Sequence, residues 1–267
     1  MKVEPLSINA GQHNGQYYRQ KMSDDIFADL LIPNPNVNAA VGSGSHAKQG
    51  ARSSVMYVNY GCGFTAPKEW MNFDASPTLR WERIPFIGKM YTKNARRFPP
   101  NVMYGDIVEG LPVPDGSCRG VYASHILEQL TLDDFHRALD QTKKILQARG
   151  IFRLVIPDLE WAAREYVTRL ETGDPTANNF FLNATCLGKE ARRHGLTGFV
   201  YNLLRKAAQW MWDELSLEYA LEKHGFIRIR KCSFGDCEDP MFALVEDRGR
   251  FEHAIAMEAR VPQHDSR

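Results

Sequence analysis

From residue 55 onward the apolar positions gather into short runs that alternate with stretches where they recur every third or fourth residue. The runs "VMYVNY" (55–60), "WMNFD" (70–74), "NVMYG" (101–105), "GVYAS" (120–124), "IFRLVIP" (151–157), "FIRIRKC" (226–232) and "HAIAMEARV" (253–261) predict strands, being mostly rich in β-branched and aromatic residues. Between them lie helical periods. Leu132, Phe135, Leu139, Thr142 and Leu146 share one face over 132–149; Thr131 stands where the first turn needs a cap and Gly150 where a left-handed C-cap would end it. A second helix is predicted from a capping Asp158 to Gly173, with Leu159, Ala162, Ala163, Tyr166, Val167 and Leu170 at helical spacing. A third follows Ser216, buries Leu217, Ala220 and Leu221, and stops at Gly225.

Strands alternating with helices imply an α/β domain with a mostly parallel sheet. The last two strands are joined by "SFGDCEDPMFALVEDRGRFE" with no helical period, so they are expected to pair antiparallel. Residues 1–54 form an N-terminal extension. Within it "DDIFADLLIP" is a short amphipathic candidate helix that could cap the core, and "NAAVGSGSHAKQGARSS" reads as a flexible linker. Residues 55–267 are then the main domain, with an irregular insertion at about 174–212 that mixes aromatic and basic residues.

Composition narrows the function classes. A chain of 267 residues with 43% hydrophobic and 24% charged residues is ordinary globular material with length for one sizeable core. A formal net charge of +1 offers no field for nucleic acid or an anionic membrane surface. No apolar stretch of about 18 residues and no signal-type apolar segment occurs, which predicts a soluble, cytoplasmic protein. The five cysteines (62, 118, 186, 232, 237) are odd in number and scattered, as reduced thiols would be; "CSFGDC" lacks a second pair at zinc spacing, so no metal site is expected.

The candidate chemistry sits after the first strand. "GCGFTA" satisfies the dinucleotide expression G-x-G-x-x-G/A with Ala66 in the third place. Spacing argues against a dinucleotide, because that unit needs a crossover helix and an acidic residue about 20 positions beyond the glycines. Here Asp74 lies 13 residues after Gly61, and only "PKE" separates Ala66 from the next strand. A ligand with an adenosine and no phosphates asks less of such a turn: small residues under its tail and a carboxylate for two ribose hydroxyls. S-adenosylmethionine is such a ligand.

Three blocks carry a resemblance: "VNYGCGFTAPKEWMNFD", "YGDIVEGLPVPDGSCRGVYASHILEQL" and "GIFRLVIPDLE", supported by "WMWDELSLEYALEKHGF". In this order they resemble the class I S-adenosylmethionine-dependent methyltransferases, and within them a type 11-like bacterial branch, over roughly residues 55 to 261. The resemblance implies a Rossmann-like sheet of seven mostly parallel strands ending in an antiparallel hairpin, with helices on both faces. The chain departs from the branch at "QARG" (147–150), where "KPGG" is common, at Gln129 for a frequent His, and at Arg119 for a common Asp.

Carried over residue by residue, the resemblance implies that the turn Asn59, Tyr60, Gly61, Cys62 and Gly63 passes the methionine part, with Gly61 and Gly63 beneath it. Asp74 would take the ribose hydroxyls, Asp106 with Ile107 would meet the adenine, and Ser124 with His125 would line the methionine end. Residue chemistry alone leaves other readings open: Asp74 as a cap for the turn before "SPT", Asp106 as a loop-ordering Asx residue, His125 as a hydrogen-bonded structural residue. His125 and Asp158 are the candidate reacting groups by their place at strand ends, with Glu160 and His194 behind them. The expected activity is methyl transfer to a small-molecule or glycan-type acceptor, whose site would use the insertion. "KEARRHG" (189–195) offers it an anion-binding cluster or a solvated turn, and "WMW" (210–212) a pocket floor or plain aromatic packing. Two alternatives remain: a catalytically silent relative that binds the cofactor or a partner, and a nicotinamide oxidoreductase, which would require a long helix after Gly63.

Overall fold

A computed structural model describes residues 56–84, 97–185, 187 and 210–263. The N-terminal extension, the cluster 189–195 with His194, and much of the insertion lie outside the described residues. Seven strands, β1 (Met56–Tyr60), β2 (Met71–Asp74), β3 (Val102–Tyr104), β4 (Cys118–Ser124), β5 (Leu146–Pro157), β6 (Ile227–Lys231) and β7 (Ala254–Arg260), form one sheet in the order β3-β2-β1-β4-β5-β7-β6. Every neighbouring pair is parallel except β5–β7 and β6–β7, so β7 closes the sheet as an antiparallel hairpin with β6.

Five α-helices are described. Helix α1 (Pro77–Arg83) was not signalled by periodicity; it buries Leu79 against Cys62 and Val102. Helix α2 (Leu132–Ile145) is capped by Thr131, whose side chain accepts from the Asp134 amide, and buries Phe135, Ala138, Leu139, Thr142 and Ile145. It ends before the expected Gly150, because from Leu146 the chain is already in β5. The β4–β5 register shifts between Cys118 and Gly120, and Arg149 takes φ +62° in the resulting bulge. Gly150 is needed there for close approach, since a Cβ would lie 2.8 Å from the Gln147 carbonyl. Hydrogen bonds from Arg149 N to Val261 O and from Val261 N to Gly150 O complete the pairing that overrides the local helical pattern. Left-handed backbone costs least at glycine; this chain carries the strain on an arginine.

Helix α3 (Leu159–Glu171) begins and ends as expected, with Asp158 accepting from the Trp161 amide and Gly173 at φ +74°. Helix α4 (Ala177–Ala184) lies in the segment expected to be irregular. Helix α5 (Glu214–Lys223) starts earlier than its pattern suggested: Asp213 is the cap, and Ser216 completes a capping box one turn in.

Helices α2 and α5 cover one face of the sheet, packing Phe135, Leu139, Leu217 and Leu221 against strand residues such as Val121, Phe152 and Leu154. The other face carries α1 at the β3 end and, over the centre, two 3-10 turns (Pro240–Leu244 and Arg248–Phe251) from the β6–β7 connection. No helix lies between β1 and β2, and the β6–β7 connection fills the space a crossover helix would take. Trp70 stands 5.1 Å from Tyr57 and 5.2 Å from Phe242, ring to ring, and Gly120 leaves the room that Tyr57 and Phe242 occupy. The Trp70 indole donates to Met241 O, and the Tyr57 hydroxyl donates to Asp239 Oδ2 at 2.8 Å. Asp239 also pairs with Arg119 at 3.0 Å. An aspartate at 119, common in the resembling sequences, would face Asp239 with like charge.

Beneath this connection Arg153 of β5 is fully buried. Its guanidinium binds Glu246, Glu258 at 3.1 Å, Asp236 at 2.9 Å and the Ser233 carbonyl at 2.7 Å. A buried guanidinium is tolerable only when its charge and donors are met in this way. Three of the four partners, Ser233, Asp236 and Glu246, belong to the β6–β7 connection, which is thereby fastened to the middle of the sheet.

Candidate cofactor site

Strand order locates the candidate site before any side chain does. The chain leaves β1 toward β2 on one side and β4 toward β5 on the other, so the crevice beyond the carboxyl ends of β1 and β4 is the topological switch point where open α/β sheets bind ligands. Gly61 and Gly63, Asp74, Asp106, Ser124 with His125, and Asp158 stand at or just after the ends of β1, β2, β3, β4 and β5 respectively, and so lie along one edge of the sheet.

The two glycines differ. Both are left-handed, at φ +62° and +54°. A Cβ on Gly61 would lie 2.6 Å from Ile126 Cγ1, so this glycine makes room for the segment after β4. A Cβ on Gly63 would meet nothing closer than the Arg250 guanidinium at 3.9 Å, so Gly63 is the one that faces open space. Its amide donates to Asp74 Oδ2 at 2.9 Å, and the Ser76 amide donates to Asp74 Oδ1 at 2.8 Å. Asp74 is therefore buried, orders the turn before α1, and clamps the glycine loop; as a carboxylate it keeps further acceptor sites on both oxygens.

Asn59, Tyr60 and Cys62 have their side chains engaged in packing. Asn59 donates to Thr65 O at 2.9 Å and toward Asn72 at 3.3 Å, pinning the short loop. The Tyr60 hydroxyl meets Thr142 of α2, and burial pushes its phenol up. Cys62 packs with Leu79 and Val102. Only the main chain of these three can meet a ligand. Asp106 adopts the Asx geometry, accepting from the Val108 amide at 2.9 Å, and Ile107 is buried in the core.

At the end of β4, Ser124 and His125 are both buried. His125 takes φ +54°, and its amide donates to Val155 O. Its Nε2 lies 2.7 Å from the Arg250 carbonyl, which only accepts, so Nε2 carries a proton and donates there. Gln129, at the place of a frequent His, donates to the His125 carbonyl. The Ser124 and Tyr122 hydroxyls are buried with no well-formed hydrogen bond to a described residue; burial raises the Tyr122 phenol, with Ser124 opposing. Asp158 is an N-cap, and Glu160 is exposed and paired with Arg164.

Sequence reading missed Arg250, His253 and Glu128. Arg250 Nη1 donates to the Ser124 carbonyl at 3.0 Å across 126 residues of sequence, a proximity with no local signal. His253, at φ +55°, stacks on Trp161 at 3.9 Å, so a second left-handed histidine stands on the same edge. Glu128 is buried just after β4, and its carbonyl accepts from the Trp210 amide; its one signal was a charge inside the apolar "HILEQL". Of the "WMW" residues, Trp212 is buried against Phe135 at 4.1 Å and Trp210 is exposed. Among the described residues Cys62, Cys118, Cys232 and Cys237 are reduced thiols, and no helix is long and apolar enough to cross a membrane.

The seven-strand order with its antiparallel β7 is that of the class I methyltransferase sheet, a Rossmann-like fold. Among solved structures, an S-adenosylmethionine-dependent methyltransferase from Archaeoglobus fulgidus is similar at 13% identity over 94% of this chain and 94% of its own, with a TM-score of 0.41. One from Thermotoga maritima is similar at 16% identity over 94% and 97%, with a TM-score of 0.40, and one from Aquifex aeolicus at 10% over 78% and 82%, with a TM-score of 0.39. No protein-family model and no curated protein matches the sequence. The strand order, not these distant likenesses, assigns the fold.

Proposed function

We propose that the protein is an S-adenosylmethionine-dependent methyltransferase acting on a small-molecule or glycan-type acceptor, as its resemblance to the type 11-like branch implies. One observation carries the reading: Gly63, open above its backbone and bound through its amide to Asp74, stands at the β1/β4 switch point on a loop too short for a crossover helix. That loop has no helix N-terminus on which a pyrophosphate would rest, which disfavours a nicotinamide dinucleotide. The Ser124 hydroxyl at the end of the neighbouring strand β4 is buried, with the Tyr122 phenol as its side-chain neighbour.

In this reading the main chain of 59–63 passes the methionine part, Asp74 accepts from the ribose hydroxyls, the Asp106–Ile107 corner meets the adenine, and Ser124 with His125 borders the methionine end. When bound, S-adenosylmethionine supplies a methyl already activated for displacement. The chain's own task is to hold the acceptor in line and exclude water. His125, tied to the Arg250 carbonyl, acts as a positioning residue at that end.

A second reading, a silent relative that binds the cofactor without turnover, draws on the fact that His125 and Asp158 are both committed to structural hydrogen bonds. Calorimetry with S-adenosylhomocysteine and with NAD tests the cofactor, and a radiolabelled-methyl assay against fractionated cell extract tests turnover. Binding of the first compound alone is expected, weakened roughly 10- to 100-fold in Asp74→Asn. Absence of binding by the parent protein overturns both readings, and binding without any labelled product favours the second.

A further inference from the structure

The β6–β7 connection, which the sequence presents as a plain hairpin link, delivers a cation into the switch-point crevice. Asp247 caps the turn Arg248–Phe251 by accepting from the Gly249 amide. The Arg250 carbonyl accepts a hydrogen bond from His125 Nε2, and the Arg250 Nη1 donates to the Ser124 carbonyl. Its Nη2 stands 3.9 Å from the position a Cβ on Gly63 would occupy. The guanidinium thus bridges the ends of β4 and β1, the two strands that bound the crevice. It is held there from below, since Glu246 and Asp236 fasten the connection to Arg153, whose guanidinium also lies 6.0 Å from the Phe251 ring.

We infer that Arg250 anchors the carboxylate of the cofactor's amino-acid end; this rests on the cofactor reading above. The charges of the ligand leave one choice. S-adenosylmethionine carries positive charge on its sulfonium and its ammonium and negative charge only on its carboxylate. A fixed guanidinium in the crevice repels the first two and attracts the third. Arg250 is therefore a positioning residue that sets the direction in which the methionine part lies, carboxylate toward the Arg248–Phe251 turn and sulfonium away from it.

The test uses two probes that differ in that carboxylate: S-adenosylhomocysteine, which has it, and 5′-methylthioadenosine, which lacks the amino-acid end. In Arg250→Gln, calorimetry should show S-adenosylhomocysteine weakened roughly 10- to 100-fold, with 5′-methylthioadenosine unchanged within about twofold and partial recovery in Arg250→Lys. Equal weakening of both probes, or no weakening of either, overturns the assignment, because a residue that merely braces the crevice would not distinguish them. If the parent protein binds neither probe, the cofactor reading itself fails and the anchor with it.

Discussion

The two faces of the sheet are closed by different means. On one, α2 and α5 lay apolar stripes over the strands, and the helices come from connections next to the strands they cover. On the other, the β1–β2 connection is too short to supply a helix, and the space over β1, β4 and β5 is filled from the far end of the chain by Phe242, Met241 and Val245. Apolar burial holds most of the first cover, with polar ties such as Tyr60 to Thr142 and Lys231 to Glu214 added to it. The second also needs an ion cluster around Arg153, because its 3-10 turns have little regular hydrogen bonding of their own. One consequence is functional: the covering segment on the second face also carries Arg250 and the carbonyl that holds His125, so packing there and geometry at the crevice are linked.

The largest effect should come from Arg153→Met. It leaves Glu246 buried without its cation, whereas Glu258 keeps Arg230, and about 3–5 kcal/mol of stability should be lost in urea denaturation. A loss under about 1 kcal/mol would show that the cluster does not fasten the second cover. Phe242→Ala and Leu139→Ala should each cost about 2–5 kcal/mol, one on each face. Only Phe242→Ala should also weaken S-adenosylhomocysteine binding; equal binding losses would break the link drawn between the second cover and the crevice.

The glycines sharpen the same comparison at smaller scale. Gly61→Ala meets Ile126 and should destabilise by about 1–3 kcal/mol, part of which a paired Ile126→Ala restores. Gly63→Ala, strained only in its backbone, should cost about 1–2 kcal/mol with no rescue from position 126.

The smallest effects are pH dependences of opposite sign. Between α2 and α5, His136 meets His224 at 2.9 Å, and burial followed by the His224 charge holds the His136 pKa below the ordinary imidazole value. Stability from this contact is complete above about pH 6.5 and is lost as pH falls below it; His136→Gln should flatten that acid limb of a melting-temperature profile. On the other face, burial and the bond to Asp239 raise the Tyr57 phenol to about 12. Its contribution is complete below about pH 10 and is lost as pH rises toward 12, a decline that Tyr57→Phe should reduce. An unchanged slope in either variant would remove that residue from the account of its face.

Much of this was readable in the chain because it depended on neighbours in sequence. Seven apolar runs became seven strands, the Thr131 and Asp158 caps formed as their side chains required, and the antiparallel closing hairpin followed from a link without helical period. Gly150 misled because its pattern fitted a helix cap equally well, and pairing of 146–150 with β4 and the residue after β7 decided otherwise. The segment 174–212 hid α4, whose short apolar pattern carries no strong period.

What the sequence by itself determined was local: element type, the caps, and the short span from Gly61 to Asp74 that disfavours a crossover helix there. Tertiary structure alone decided that Gly61 makes room for Ile126 while Gly63 faces the crevice, that Asn59 and Cys62 turn inward, and that Arg250 reaches Ser124 across 126 residues. The reason is physical. Periodicity and capping act within a turn or a strand, whereas the direction of a side chain at a strand end depends on which segment packs over it, and here that segment comes from the other end of the domain.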